Sequence, residues 1–235
     1  IPAAFYRGGT SRAIFFHAKD MTEDPKIRDA IFLRAIGSPD PNSRQLDGLG
    51  GGTPSLSKVA FIAPSSRPDA DVDFTFGQVS INSPQGDYAG NCGNMSSAVG
   101  HFAVDEGLVP SPADGEATVR IHNTNTGKII ISKFQVEGGC AAVEGDYELP
   151  GVAGTGSPIR LEFTDPGGAS TGKLLPSGAP VDIFDIEGIG EIAVSMVDAT
   201  TPCIFVRARD LGISGTEAPG AIDTNRGVMV NIEQI

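Results

Sequence analysis

Ala89-Gly90-Asn91-Cys92-Gly93-Asn94-Met95-Ser96-Ser97-Ala98-Val99-Gly100-His101-Phe102-Ala103-Val104-Asp105-Glu106-Gly107 is the stretch that decides the fold. From Asn94 to Glu106 it reads as a helix ending at Gly107, and Met95, Ala98, Val99, Phe102, Ala103 and Val104 cover most of its circumference. A helix that apolar is expected to be buried and wrapped by other elements. What surrounds it is strand. The 31 Gly and 17 Pro punctuate short β-branched runs, and strands are predicted at Ala13–His17, Lys58–Ala63, Asp71–Phe76, Gln78–Ile81, Thr118–Asn123, Lys128–Val136, Ile159–Phe163, Ile192–Val197 and Cys203–Arg207. The expectation is an α+β chain whose mostly antiparallel sheet curls around one helix. A second helix is announced by Asp24 as cap, Pro25 at its first position and Gly37 as stop, with Ile27, Ala30, Ile31 and Ile36 apolar, and it is expected on the surface.

At 235 residues and 40% hydrophobic content, the chain can bury a sizeable core. Seventeen Lys and Arg against 29 Asp and Glu give a net charge of -12, with no basic stripe to follow a phosphate backbone, so nucleic acid is excluded as a partner. An acidic protein that takes an acidic metabolite needs local donors, meaning a few Arg or Lys and backbone N–H groups. Cys92, Cys140 and Cys203 are widely spaced, with no CxxC pair, which argues against a disulfide framework or a zinc knuckle and for a reducing compartment. No run approaches the roughly 20 apolar residues of a membrane span, so no membrane partner is expected and cytoplasm is the default location. The chain opens at Ile1 without methionine, which leaves a trimmed leader open.

Laying Gly9–Met21 on Ala199–Leu211 pairs Thr10 with Thr200, Ile14 with Ile204, Phe15 with Phe205, Ala18 with Ala208 and Asp20 with Asp210. This echo reads as duplication. The glycine loop and the central helix of the first copy have no second counterpart, so the expected organisation is a first domain over residues 1–188 and the start of an incomplete second domain over 189–235.

Three clusters carry chemistry. In the first, Gly90 and Gly93 flank Cys92 at the head of the apolar helix, where unpaired N–H groups and the positive dipole end favour both a thiolate and a bound carboxylate. In the second, Asp47-Gly48-Leu49-Gly50-Gly51-Gly52-Thr53-Pro54-Ser55-Leu56-Ser57-Lys58 is a glycine-rich loop with a Lys at the strand entry. It lacks the Gly-Lys-Ser/Thr order and the following helix of a nucleotide loop, and its glycines and hydroxyls suit an anion nest instead. In the third, Tyr6-Arg7-Gly8-Gly9-Thr10-Ser11-Arg12 offers a guanidinium for a carboxylate, two permissive glycines and two hydroxyls. His17, His101 and His122 show no ligand spacing, and no metal is inferred.

These clusters resemble the PrpF family, the methylitaconate, methylaconitate and oxalomesaconate isomerases of the diaminopimelate-epimerase-like fold. The resemblance rests on Arg7-Gly8-Gly9-Thr10-Ser11, Gly37-Ser38-Pro39-Asp40-Pro41, Gln45-Leu46-Asp47-Gly48-Leu49-Gly50-Gly51, Ser57-Lys58-Val59, Phe76-Gly77-Gln78-Val79 and Gly90-Asn91-Cys92-Gly93-Asn94. It implies a Lys after the glycine loop and a Cys before the central helix as acid/base groups, here Lys58 and Cys92. It also implies two similar halves, each a sheet rolled around one helix, with the second half cut short in this chain.

The resulting expectation is a cofactor-independent 1,3-proton shift in a small di- or tricarboxylate. Arg7, Gly8, Gly9, Thr10, Ser11, Gly51, Gly52, Ser57, Asn91, Gly93, Asn94 and Met95 would bind the substrate. Its intermediate, a carbanion delocalised into a carboxylate, needs donors arranged as in an oxyanion hole. Homo-oligomerisation stays open, and the missing half is expected from the full-length chain or from another chain. The rivals are a two-thiol epimerase or racemase on the same fold, and a non-catalytic accessory protein of an aconitase-like hydratase.

Overall fold

The computed structural model describes Ile1–Ile235, which divide into two compact units, Ile1–Asp165 and Pro166–Ile235. The first unit runs β1 (Ala4–Gly8), β2 (Ser11–His17), α1 (Pro25–Ile36), β3 (Lys58–Pro64), β4 (Val72–Val79), β5 (Gly86–Asp87), α2 (Gly93–Asp105), β6 (Gly115–Asn123), β7 (Lys128–Glu137), β8 (Cys140–Ala141), β9 (Tyr147–Glu148), β10 (Thr155–Gly156) and β11 (Ile159–Phe163). One sheet has the order β1-β2-β3-β4-β6-β7-β11, with β5 on β4 and β8 on β7. Its pairings are antiparallel except β2 with β3 and β4 with β6.

Strand alternation sorts the core into two layers. Ala13 and Phe15 of β2, Ala60 and Ile62 of β3, and Phe74 and Phe76 of β4 point one way and pack with Met95, Val99, Phe102 and Ala103 of α2. Ile14, Phe16, Val59 and Val79 point the other way and meet Phe32 and Ile36 of α1. The sheet therefore curls around α2, which touches β1 and β2 on one side and β7 and β11 on the other. Full burial of Met95, Val99 and Phe102 contributes about 1.5–3 kcal/mol each.

The surface helix forms as its sequence predicts. Asp24 Oδ1 accepts from the Lys26 N–H at 2.9 Å, Pro25 opens the helix and Gly37 closes it at φ +85°. One reading is corrected, because the strands expected at Asp71–Phe76 and Gln78–Ile81 are one strand, β4 (Val72–Val79), that runs through Gly77 and ends before Ser80. A Cβ at Gly77 would lie 2.9 Å from Val59 Cγ2 and 3.0 Å from the Tyr88 ring, so this glycine makes room for packing rather than breaking the strand.

In the second unit β12 (Asp182–Ile186), β13 (Gly190–Ala199) and β14 (Thr201–Val206) form a separate antiparallel sheet, followed by α3 (Pro219–Thr224) and α4 (Arg226–Glu233). This sheet begins with β12, ahead of residue 189, because β12 pairs with β13 from Asp182↔Val194 to Ile186↔Gly190. Ile186, Ile192 and Val194 make its small core. The echo has a structural form. In both units an antiparallel hairpin leads into a 3-10 turn, Ala18–Asp20 after β2 and Ala208–Leu211 after β14.

Candidate active site at the head of the central helix

Cys92 is the N-cap residue of α2, with extended backbone (φ −119°, ψ 103°), and its carbonyl accepts the Ser96 N–H at 2.9 Å. No side chain caps the helix and no acidic residue lies in its first turn, so the leading N–H groups from Gly93 onward keep the donor character of a helix start. The thiol is half-buried against the core around α2. Gly90 and Gly93 have negative or extended φ, and a Cβ on Gly90 would meet nothing within 4 Å, while one on Gly93 would meet only the Phe163 ring edge at 3.9 Å. Neither turn geometry nor protein packing requires glycine there.

The hairpin turn between β1 and β2 docks on this helix head. Asn94 Nδ2 donates to Thr10 Oγ1 at 3.0 Å and to Ser11 Oγ at 3.2 Å. A Cβ on Gly8 would sit 2.3 Å from the Asn94 carbonyl oxygen, and one on Gly9, at φ +50°, would sit 2.3 Å from Asn94 Oδ1. These two glycines serve the docking of the turn. Arg7 donates from Nη1 to the Gly9 carbonyl at 2.9 Å and lines a cavity of about 170 Å³ together with Ser97 and the β9–β10 hairpin. Arg7 and Thr10 also border a second hollow of about 440 Å³ beside Arg12 and Gly151.

Lys58 is the first residue of β3 and is 8% exposed. The parallel register Ala13↔Lys58 sets it two residues along from Ser11, at the same end of the sheet as the helix head. Its alternation with Ala60 and Ile62 turns it to the α2 side, where Nζ lies 5.2 Å from the centre of the Phe76 ring and donates to Gln78 Oε1 at 2.5 Å. The Phe76 backbone is bonded in turn to Asn125, whose Nδ2 also holds the Tyr88 carbonyl at the start of the Cys92 loop. Asn91 Oδ1 accepts from Ser96 Oγ and Asn123 Nδ2, fixing the residue next to the thiol. Lys58, Cys92, Asn94, Thr10 and Ser11 thus share one face and one end of the rolled sheet.

Four other expected binding residues are placed differently. Ser57 is fully buried and its Oγ accepts from Gln45 Nε2 at 2.6 Å, on the side of the glycine loop. The Gly52 N–H donates to Gln45 Oε1 at 2.9 Å, and a Cβ on Gly51 would strike Leu56. The glycine loop is therefore knotted around Gln45, which also donates to Ser38 Oγ, rather than open as an anion nest. The Met95 side chain is in the core, so only its N–H is left to face a ligand.

The sequence shows Gln45 and Gln78 only as members of motifs without a role and gives no signal at Asn123 and Asn125, because the roles of all four come from partners elsewhere in the chain. A hollow of about 590 Å³ lies elsewhere, around Arg34, Ser38, Asp40, Arg44 and Asp47, and holds none of the acid/base candidates.

A family model described as PrpF protein matches residues 1–235. The chain is 48% identical over 235 residues to a 3-methylitaconate isomerase of Eubacterium barkeri, covering all of this chain and 61% of the relative. A 2-methyl-aconitate isomerase of Cupriavidus necator is 42% identical over 243 residues, covering 99% of this chain and 61% of the relative. A crystal structure of a methylitaconate-delta-isomerase superposes with a TM-score of 0.76 at 47% identity, covering 100% of this chain and 59% of that one. A probable proline racemase from Agrobacterium radiobacter K84 shares the fold at a TM-score of 0.56 and 14% identity, over 97% of this chain and 58% of that one. The expected α+β, diaminopimelate-epimerase-like fold is thereby shown. The chain spans about three fifths of the length of the relatives it matches.

Proposed function

The chain belongs to the PrpF family, and from that premise we propose that it carries the acid/base half of an isomerase acting by a 1,3-proton shift on a small di- or tricarboxylate. The observation that supports this most is the uncapped, acid-free head of α2, with Cys92 at the cap and Lys58 on the same face and end of the sheet. One of these two groups takes an allylic proton. The electron pair moves into the adjacent carboxylate as the double bond migrates, and the other group returns a proton at the far carbon. The exchange is redox-neutral and needs no co-reactant. Helix-head N–H groups, with Arg7 and Thr10 at the docked turn, stabilise the negative charge as it develops. Each proton transfer supplies a factor on the order of 10²–10⁴ in rate.

The relatives' names point to methylitaconate- or methylaconitate-like acids as the substrate class to try first. Their greater length supports assigning the wall that faces Cys92 to sequence outside these residues, in the same polypeptide or in another chain. Three unpaired cysteines suit a reducing compartment, and we place the protein in the cytoplasm. A two-thiol mechanism finds no partner in Cys140, which sits on β8 beside the Asp105 end of α2, opposite the head. The test is to incubate candidate acids with the protein in deuterated water and follow the allylic protons by NMR. Deuterium entering with double-bond migration is expected, and exchange that survives unchanged in Cys92→Ser and Lys58→Ala would overturn the reading.

A further inference from the structure

We propose that Gln78 is a positioning residue that aims the Lys58 amine, an inference that rests on the acid/base reading of Lys58 above. Gln78 stands directly across from Lys58 in the β3–β4 register. Its Nε2 donates to two backbone carbonyls, Pro54 O at 3.0 Å and Ser57 O at 2.9 Å, so both amide hydrogens are spent. Rotating the carboxamide by half a turn would set Oε1 against those two carbonyl oxygens. The amide therefore has one orientation, and in it Oε1 faces Lys58 Nζ at 2.5 Å while the Phe76 ring lies 5.2 Å from the same nitrogen.

The partner's chemistry is as telling as its geometry. A carboxylate at this place would add a negative charge that holds the proton on the lysine, whereas an amide oxygen fixes Nζ in space without adding charge. Pro54 and Ser57 close the glycine loop, so Gln78 ties the Lys58 amine to the Gln45-centred loop by a side-chain route, in addition to the peptide bond that joins Ser57 to Lys58. Phe76-Gly77-Gln78-Val79, a motif with no assigned chemistry, gains a function in this way.

The experiment compares Gln78→Met, which keeps length but loses every hydrogen bond, with Gln78→Glu, which keeps an acceptor and adds a charge. Both are made in the longest natural chain carrying these residues, with and without Lys58→Ala. In the Lys58 background Gln78→Met is expected to lower kcat by about tenfold or more with KM within about threefold, since a misplacement near 1 Å costs up to about 10². In the Lys58→Ala background it is expected to add nothing. Equal losses in both backgrounds, or a KM change as large as that in kcat, would overturn the proposal.

A second readout needs no substrate, the rate at which acetic anhydride labels Lys58 relative to Lys133 of β7, read by peptide mass spectrometry. Gln78→Met should label faster and Gln78→Glu slower than the native protein, each by about threefold. A purely structural role would move both variants in the same direction, and that result sinks the proposal. Opposite shifts in labelling with no turnover in the native protein would sink the isomerase reading alone and leave the Gln78–Lys58 pairing standing.

Discussion

Cys92 and Lys58 differ in what their removal costs the fold. Cys92 is half-buried and its thiol caps nothing, so Cys92→Ser should unfold within about 0.5 kcal/mol of the native chain while losing about 100-fold or more of its allylic deuterium exchange. Lys58→Ala should be equally damaging to exchange, but it leaves Gln78 Oε1 without its donor and costs about 1–2 kcal/mol, which denaturant melts would show. Asp40 gives a pH signature. The Asn42 N–H, then those of Gln45 and Arg44, bond its carboxylate and hold it below the usual carboxylate range. The folded state thus releases this proton more readily than the unfolded one, so the stabilisation is complete above about pH 4 and is lost as pH falls through the lowered folded value. Asp40→Asn should melt below the native chain at neutral pH, and the gap between the two should close as pH falls below the ordinary carboxylate range. A gap that widens in acid would contradict this account.

α2 was readable from sequence because a helix apolar on nearly every face has few places to go, and α1 because its cap, its proline and its terminal glycine are local signals. The helix–turn docking was not readable, since it depends on Gly8 and Gly9 meeting Asn94 more than eighty residues away. The glycine loop misled for the same reason: its composition suits an anion nest, yet Gln45 fills it through bonds to Ser38, Gly52 and Ser57. In the sequence Lys58 and Cys92 stand out only as residue types in suggestive company, while the placement of Lys58 beside the β2 end that docks on the helix head follows from the parallel register of β2 and β3. Two substitutions test the packing. A Cβ on Gly100 would lie 2.5 Å from the Phe134 ring, so Gly100→Ala should destabilise by about 1–3 kcal/mol although alanine favours helix by about 1 kcal/mol. Gly8→Ala should push the turn off the helix head, and its exchange rate should fall more steeply than its melting temperature.

The first unit has its own core and closes its sheet around its own helix, so residues 1–165 expressed alone should fold cooperatively, with α2 amides among the slowest to exchange with solvent. The second unit is different. Phe205 is 59% exposed where Phe15, its echo, is 0%, and Ile204 is 47% exposed where Ile14 is 2%. β14 also bonds only to β13, leaving its other edge free. An apolar strand with an open edge invites other chains, and Phe205→Lys should lower the self-association of the 235-residue chain in light scattering. The parallel join of β2 to β3 carries a different lesson, for the evolution of the chain. Forty residues separate His17 from Lys58, and they hold α1 and the glycine loop. An insertion on the exposed stretch of that crossover can be absorbed before β3 begins, whereas a slip of β3 by one residue would turn its first side chain from the α2 face to the α1 face. Length can drift in the crossover while the phase of the strand cannot, so comparing many descendants of this sequence should show ragged gaps before Ser57 and none between Lys58 and Pro64.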